Sequence, residues 1–116
     1  VKVVVAWWDL ASSHHDAASL RPFLRDEAVA GFSEVEGLRL KVWLSDAPTA
    51  RWGALFLWES ARAAEQELPA RAAEIIGCPP AEVHVFDVEA VTEGRHTNAS
   101  LTEVGLAHEE ERGRVA

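Results

Sequence analysis

Four short runs of the chain are dominated by β-branched and aromatic residues, a composition typical of β-strands. They span residues 2–8, 38–44, 52–60 and 82–88. In the third run both sides of a pleated strand are apolar, with Trp52, Ala54, Phe56 and Trp58 on one side and Gly53, Leu55 and Leu57 on the other. A strand of this kind has to be covered on both sides.

Two longer segments repeat apolar residues at helical spacing. The first begins between Asp16 and Ser19, either of which can cap it, and Pro22 is tolerated there only within the first turn. The second covers residues 61–76, with Ser60 as its cap and Pro69 expected to kink it or split it into two short pieces. The apolar stripe of the first helix consists of Leu20, Phe23, Leu24, Ala28, Phe32 and Val35, and that of the second of Ala61, Ala64, Leu68, Ala72, Ile75 and Ile76.

The predicted order is β-α-β-β-α-β, which indicates an α+β, ferredoxin-like fold with an antiparallel sheet. Two helices cover one side of such a sheet, and an apolar patch on the other side is too large for an ordinary monomer. Two sheets packed face to face would bury it, so a homodimer forming a dimeric α+β barrel is expected. The alternative is a monomer with a twisted sheet and an exposed apolar patch.

The chain divides into a ferredoxin-like domain, residues 1–92, and a C-terminal tail, residues 93–116. Residues 108–114 have the composition of a solvated or disordered end. Leu101, Val104 and Leu106 are the apolar residues of an otherwise polar stretch. We expect this stretch to pack on the partner subunit or on the edge strand of its own sheet.

The net charge of −8 argues against nucleic acid or an anionic membrane as the main partner and is compatible with a neutral or apolar small molecule. A single cysteine, Cys78, cannot form an internal disulfide and suits a reducing cytoplasm. The apolar run at residues 1–8 is too short for a signal peptide or a membrane span. A cytoplasmic protein of one domain is therefore expected.

His14, His15 and Asp16 form the densest group of titratable residues, in the loop between the first strand and the first helix. We expect a pocket between this helix and the sheet, with one imidazole as its base: His15 ahead of His14, because His15 adjoins Asp16. The alternative is a solvated loop that caps the helix. No metal is expected, since a site using both histidines needs a third ligand and the sequence offers only His84 or His96.

His84 lies in the middle of the fourth strand and is the reserve catalytic candidate. It is a buried base if its side of the strand faces the helices, and a histidine of the dimer core if that side faces the barrel interior. The five tryptophans are expected mainly in the core and the dimer interface. The tail residues Arg95, His96 and Asn98 reach either a pocket or the partner subunit, or they belong to a mobile tail. The candidate substrate-binding residues are Trp8, Trp43, Trp58 and Phe23.

Four segments together carry a resemblance to a known family: Gly37-Leu38-Arg39-Leu40-Lys41-Val42-Trp43, residues 53–59, Ile76-Gly77 and Val85-Phe86-Asp87-Val88-Glu89. They resemble the corresponding segments of the YdhR-like putative monooxygenases of the dimeric α+β-barrel, antibiotic-biosynthesis-monooxygenase-like superfamily. The resemblance covers about residues 1–92 and implies the same fold, a homodimer and a small-molecule pocket between sheet and helices. This chain departs from the family's pattern in the loop at residues 10–16 and at residues 90–92.

The sequence contains no phosphate-binding loop, dinucleotide fingerprint or zinc motif, so no cofactor is expected. The first functional hypothesis is a cofactor-independent monooxygenase acting on an aromatic or polyketide-like substrate. In such an enzyme a base forms an electron-rich anion inside a dry aromatic cavity. The second is a cyclase or isomerase that uses the same pocket without oxygen. The third is a dimer that binds an apolar ligand without catalysis.

Overall fold

The computed structural model describes residues 1–66, 71–95, 100–102 and 104–109. Four strands form one antiparallel sheet: β1 (Lys2–Asp9), β2 (Leu38–Asp46), β3 (Arg51–Trp58) and β4 (Glu82–Asp87). Helices lie between β1 and β2 and between β3 and β4. The predicted α+β architecture with four antiparallel strands is therefore confirmed. In the described part of the chain, no helix combines the length and apolarity required to cross a membrane.

The strand order across the sheet is β2-β3-β1-β4. Residues paired in register share a side of the sheet, so each row of partners forms a stripe across the strands. One row runs through Lys41, Phe56, Val4 and Val85 on the side that the helices cover. The next row runs through Val42, Leu55, Val5 and His84 on the opposite side. β2 and β3 are joined by one 3₁₀ turn, Ala47–Thr49.

The first helical segment consists of α1 (Ala17–Phe23), a wider π-type turn (Leu24–Ala28) and α2 (Val29–Ser33). Its start agrees with the prediction, because the Asp16 carboxylate accepts a hydrogen bond from the Ser19 backbone N–H at 2.8 Å. The expectation for Pro22 was wrong, since this residue is the sixth of α1 and lies beyond the first turn. Pro22 has no N–H to donate to the Ala18 carbonyl, and both residues are exposed, so water can solvate that carbonyl.

The second helical segment consists of two short pieces, α3 (Ala61–Ala64) and α4 (Arg71–Ile76). Ser60 caps α3 as predicted, with its hydroxyl accepting from the Ala63 N–H at 3.0 Å. Gly77 follows α4 with a φ of 98°, a backbone conformation that glycine adopts readily. Leu68 and Pro69 lie outside the described residues.

The core lies between the helices and one side of the sheet. Its first cluster joins Leu20, Leu24 and Ala28 of the first helical segment to Trp52 of β3 and Ile76 of α4. The second cluster contains Ala54, Phe56 and Trp58, packed against Phe32 and Val35. The apolar stripe predicted for the first helix therefore faces the core, whereas Ala61 of the second predicted stripe is exposed because it is the first residue of α3.

Among the described residues, no helix covers the second side of the sheet, which we call the open face. Its central residues are apolar, and several are substantially exposed: Val42 is 39% accessible and Phe86 is 52% accessible. Trp7 lies across Gly53, and its indole occupies the space that a Cβ at this position would need. The open face is formed by Val3, Val5, Trp7, Leu40, Val42, Leu44, Leu55, Leu57, His84 and Phe86.

The C-terminal tail forms one helical turn in which two residues are buried. Residues 106–109 are helical, Ala107 belongs to the first core cluster, and His108 is only 9% accessible. The expectation of a solvated end beginning at His108 was therefore wrong at that residue, because the short helical turn directs it into the protein. Leu101, Val104 and Leu106 remain exposed. Residues 110–116 lie outside the described part of the chain.

Candidate functional site

The amine of Lys41 lies inside a cage of three aromatic rings, Phe32, Trp43 and Phe56, which we call the aromatic cage. Its Nζ atom is 3.2 Å from the centroid of the Phe32 ring, 4.4 Å from that of Phe56 and 4.5 Å from that of Trp43. The π faces of aromatic rings attract cations at such distances. This lysine therefore contacts the rings with its charged end as well as its aliphatic stem.

Strand register and helix packing together build the aromatic cage. Lys41 pairs with Phe56 on the neighbouring strand, and Trp43 is two residues further along β2, so all three side chains share the helix side of the sheet. Phe32 of α2 lies above them, edge-on to Trp43 at 5.8 Å and to Phe56 at 6.2 Å between centroids. Two strands and one helix thus fix the rings around the amine.

Burial lowers the pKa of Lys41 from 10.5 to about 7. The cause is desolvation, because a charged amine loses its hydration shell in an apolar environment. In the described part of the chain, Nζ has neither a carboxylate nor a hydrogen-bond acceptor as partner, and only the aromatic cage offsets the cost of the charge. A substantial fraction of the protein therefore carries a neutral, nucleophilic and basic amine at physiological pH.

A groove of about 640 Å³ opens beside Lys41. One side is formed by the first helical segment, the base by β2, and the other side by tail residues 101–102 and 104–108. Its volume lies within the range of about 300–1,000 Å³ that is usual for small-molecule sites. Lys41, Trp43 and Trp52 also line a smaller adjoining cavity of about 30 Å³ between the sheet and the helices. The amine therefore stands where the interior of the protein meets an open groove.

Three of the four predicted substrate-binding residues meet at the smaller cavity, which is lined by Trp8, Phe23 and Trp43. Trp58, the fourth, is only 1% accessible. It stacks on Phe56 with 5.9 Å between ring centroids, so it supports the aromatic cage from behind. The cavity lies between helix and sheet, the region in which the sequence predicts a pocket.

The predicted histidine bases do not line the groove or the smaller cavity. His15 Nδ1 is 2.9 Å from the hydroxyl of Ser19, and the Ser13 hydroxyl accepts from the His15 backbone N–H. His14 is exposed. This loop has the geometry of the alternative interpretation, a helix cap. The pKa of Asp16 is lowered, primarily by the hydrogen bond from the Ser19 backbone N–H.

His84 lies on the open face and is exposed, so the alternative of a base buried under the helices does not describe this chain. Its ring stacks on that of Phe86 with 6.2 Å between centroids. Arg95 is exposed, and His96 and Asn98 lie outside the described residues. Over the described ranges, no three His, Cys, Asp or Glu side chains are grouped as a metal site would require.

Sequence reasoning missed Lys41 as a functional candidate. The available signal was a single lysine in an apolar strand, two residues from Trp43 and hence on the same side of β2. Its partner on β3 could not be derived without the register that brings Phe56 beside it. Lys41 and Lys2 are the two lysines of the chain.

Comparison with known proteins shows the fold alone. No family model and no curated protein matches the chain. Among solved structures, the NE2512 protein of unknown function from Nitrosomonas europaea is similar, with a TM-score of 0.60 and 15% sequence identity. The match covers 82% of this chain and 95% of the Nitrosomonas chain. The YdhR-like resemblance therefore depends on the sequence segments quoted above.

Proposed function

We propose that this protein is a small-molecule enzyme in which the Lys41 amine acts as a base on an apolar or aromatic substrate bound in the groove. The observation that carries the proposal is the contact geometry of Lys41, an amine without a counterion among the described residues and enclosed by three rings beside a groove. An uncharged amine in such a place can remove a proton from a phenol or an activated carbon.

The first candidate reaction is cofactor-independent monooxygenation. Proton removal leaves an electron-rich aromatic anion, which itself supplies the electrons to oxygen. The aromatic rings around Lys41 support this chemistry because they limit the access of water to the amine that takes up the proton. A cyclase or isomerase would use the same base and groove without consuming oxygen, and a binding protein would use the groove alone.

The proposal extends to the assembly. We propose a ferredoxin-like domain that dimerises through the open face to form a dimeric α+β barrel. The support is the continuous apolar surface across all four strands, and a second copy offers the same surface, as a twofold interface requires. The exposed thiol of Cys78 supports a cytoplasmic location, because reducing compartments keep thiols free.

Oxygen uptake with a panel of naphthols, hydroquinones and anthrones tests the proposed reaction. We expect uptake above the uncatalysed rate with one class of probe, and a loss of roughly a hundredfold or more in Lys41→Met, which keeps a side chain of similar length without the amine. Lys41→Arg keeps a positive charge that does not dissociate near neutral pH, so it should be equally inactive. Lys2→Met is the matched control.

Product formation without oxygen uptake, lost in Lys41→Met, identifies the cyclase or isomerase alternative. Unchanged turnover in both Lys41 variants would contradict the role of this amine. Binding of the probes without turnover of any of them would favour the non-catalytic binding protein.

A further inference from the structure

The charges along the groove differ from those of the whole chain. The protein has a net charge of −8, yet the described residues that line the groove include Arg21, Arg39 and Lys41 and no Asp or Glu. Three basic residues outside the groove form ion pairs: Lys2 pairs with Asp87, Arg51 with Glu82, and Arg71 with Glu27. Cationic residues without carboxylate neighbours in one groove favour an anionic ligand group.

Arg21 and Arg39 approach the groove from different elements. Arg21 lies on α1 and Arg39 at the irregularity where the pairing of β2 with β3 shifts between Leu38 and Leu40. No ion pair or hydrogen bond of either guanidinium is found within the described ranges. A planar guanidinium matches a carboxylate with two parallel hydrogen bonds, which favours a carboxylate over a diffuse anion.

The surroundings of Lys41 favour a different chemical group. The π faces of the aromatic cage attract a positive charge and repel a negative one, so an anionic adduct on the amine would be unfavourable against them. A protonated imine carries the same positive charge as the ammonium that it replaces and keeps the contacts with the rings. The group that gives this product with an amine is an aldehyde or ketone carbonyl.

We infer that the groove binds an apolar oxo acid whose carbonyl carbon condenses with Lys41 while its carboxylate lies against Arg21 and Arg39. The neutral amine attacks the carbonyl carbon, and its C–N bond forms as the carbonyl π electrons move to oxygen. Proton transfer from nitrogen to that oxygen gives a carbinolamine. A proton taken up from solvent lets the hydroxyl leave as water, and the nitrogen lone pair forms the C=N bond of the protonated imine, with no change of oxidation state. This inference rests on the proposed function for the neutral Lys41 amine and its groove, and it gives that amine a nucleophilic role toward this class of substrate.

Reductive trapping tests the inference directly, since cyanoborohydride converts an imine into a stable secondary amine. The probes are 4-carboxybenzaldehyde and 4′-formylbiphenyl-4-carboxylic acid, each compared with its methyl ester. Peptide mapping by mass spectrometry assigns the adduct to Lys41, Lys2 or the N-terminal amine. At pH 7 we expect roughly a hundredfold preference for Lys41 over Lys2, since an amine with pKa about 7 is half neutral at that pH.

The carboxylate of the probe supplies a second measurement, the labelling rate of each acid relative to that of its ester. At least one acid should label Lys41 about tenfold faster than its ester, the size of effect expected from one charge-assisted contact of about 1.4 kcal/mol. Arg21→Gln combined with Arg39→Gln should remove this difference without slowing the ester. Lys41→Met, with its fold checked by circular dichroism, should give no adduct on β2.

Equal labelling of Lys2 and Lys41, or equal rates for both acids and their esters in the parent protein, would overturn the inference. If trapping fails while Lys41→Met still abolishes oxygen uptake or product formation, the amine is a base that forms no imine. The proposed function then stands without this substrate class.

Discussion

Lys41 is held between two opposing physical effects. Desolvation disfavours its ammonium form and lowers the pKa to about 7, while the aromatic cage attracts the same positive charge. An exposed lysine would be almost entirely protonated at neutral pH. The position therefore gives the protein a base near physiological pH at the expense of stability, a combination common at functional sites.

The first prediction concerns stability as a function of pH. Between about pH 7 and 10.5 the unfolded chain binds a proton at Lys41 that the folded chain has largely lost, so the free energy of unfolding should rise with pH across this window. Below pH 7 both states are protonated, and the cost of the buried charge is fully present. Lys41→Met removes this cost and should be more stable at pH 6 by on the order of 3 kcal/mol.

Urea unfolding of the parent and Lys41→Met at pH 6 and pH 9.5 measures this effect. The stability advantage of the variant should shrink at the higher pH, and taking the difference cancels the titration of other groups. If the difference in the free energy of unfolding between the two proteins is the same at both pH values, the ammonium form of Lys41 is not destabilised by the fold.

The strands were predictable because they are short runs rich in β-branched and aromatic residues. The two sides of β3 followed from the pleat alone, and because both are apolar the sequence indicated that both sides of the sheet have to be covered. Helix ends followed from Asp16 and Ser60, whose side chains accept from backbone N–H groups. Pro22 was misassigned because an exposed proline within a helix costs one hydrogen bond that water replaces.

Gly53 provides a test of how the open face is packed. A Cβ at this position would lie 2.5 Å from the Trp7 ring and 2.6 Å from the Ala6 carbonyl oxygen, too close for either neighbour to remain in place. Gly53→Ala should therefore displace the Trp7 indole and lower the free energy of unfolding by about 1–3 kcal/mol. Chemical denaturation followed by tryptophan fluorescence measures both effects.

Gly94→Ala is the matched control, since a Cβ there would meet nothing within 4 Å. We expect its stability and tryptophan emission to equal those of the parent. If Gly53→Ala also equals the parent in stability and tryptophan emission, the position of the Trp7 indole does not depend on the absence of a side chain at residue 53.

Only part of the overall fold could be predicted from the sequence. The two-layer fold followed from element order and periodicity, whereas the groove depends on contacts between residues distant in sequence. Phe32, Lys41 and Phe56 meet through register and helix packing, and Ala107 joins the core from a tail without strong periodicity. No local sequence pattern specifies such contacts. The sequence therefore favoured the histidines as the candidate site, whereas the structure favours Lys41.

Dimerisation through the open face is the prediction for the assembly. Sedimentation equilibrium at micromolar concentration should give twice the mass of one chain. Leu55→Arg places a charge in the middle of the open face and should give monomers, because burying an unpaired charge in an apolar interface is costly. Ala30→Arg, on the exposed side of α2, should remain dimeric. A parent protein that sediments as a monomer would contradict this assembly.

The ionisation of Lys41 within the folded protein tests the central claim most directly. Because the chain contains two lysines, ¹³Cε-lysine labelling gives a nuclear magnetic resonance spectrum with two assignable signals, and Lys41→Met identifies one of them. We predict that the Lys41 signal titrates with a midpoint of about 7. A midpoint near the ordinary lysine value of 10.5 would show that the amine is charged and solvated, and would contradict its role as a base in this groove.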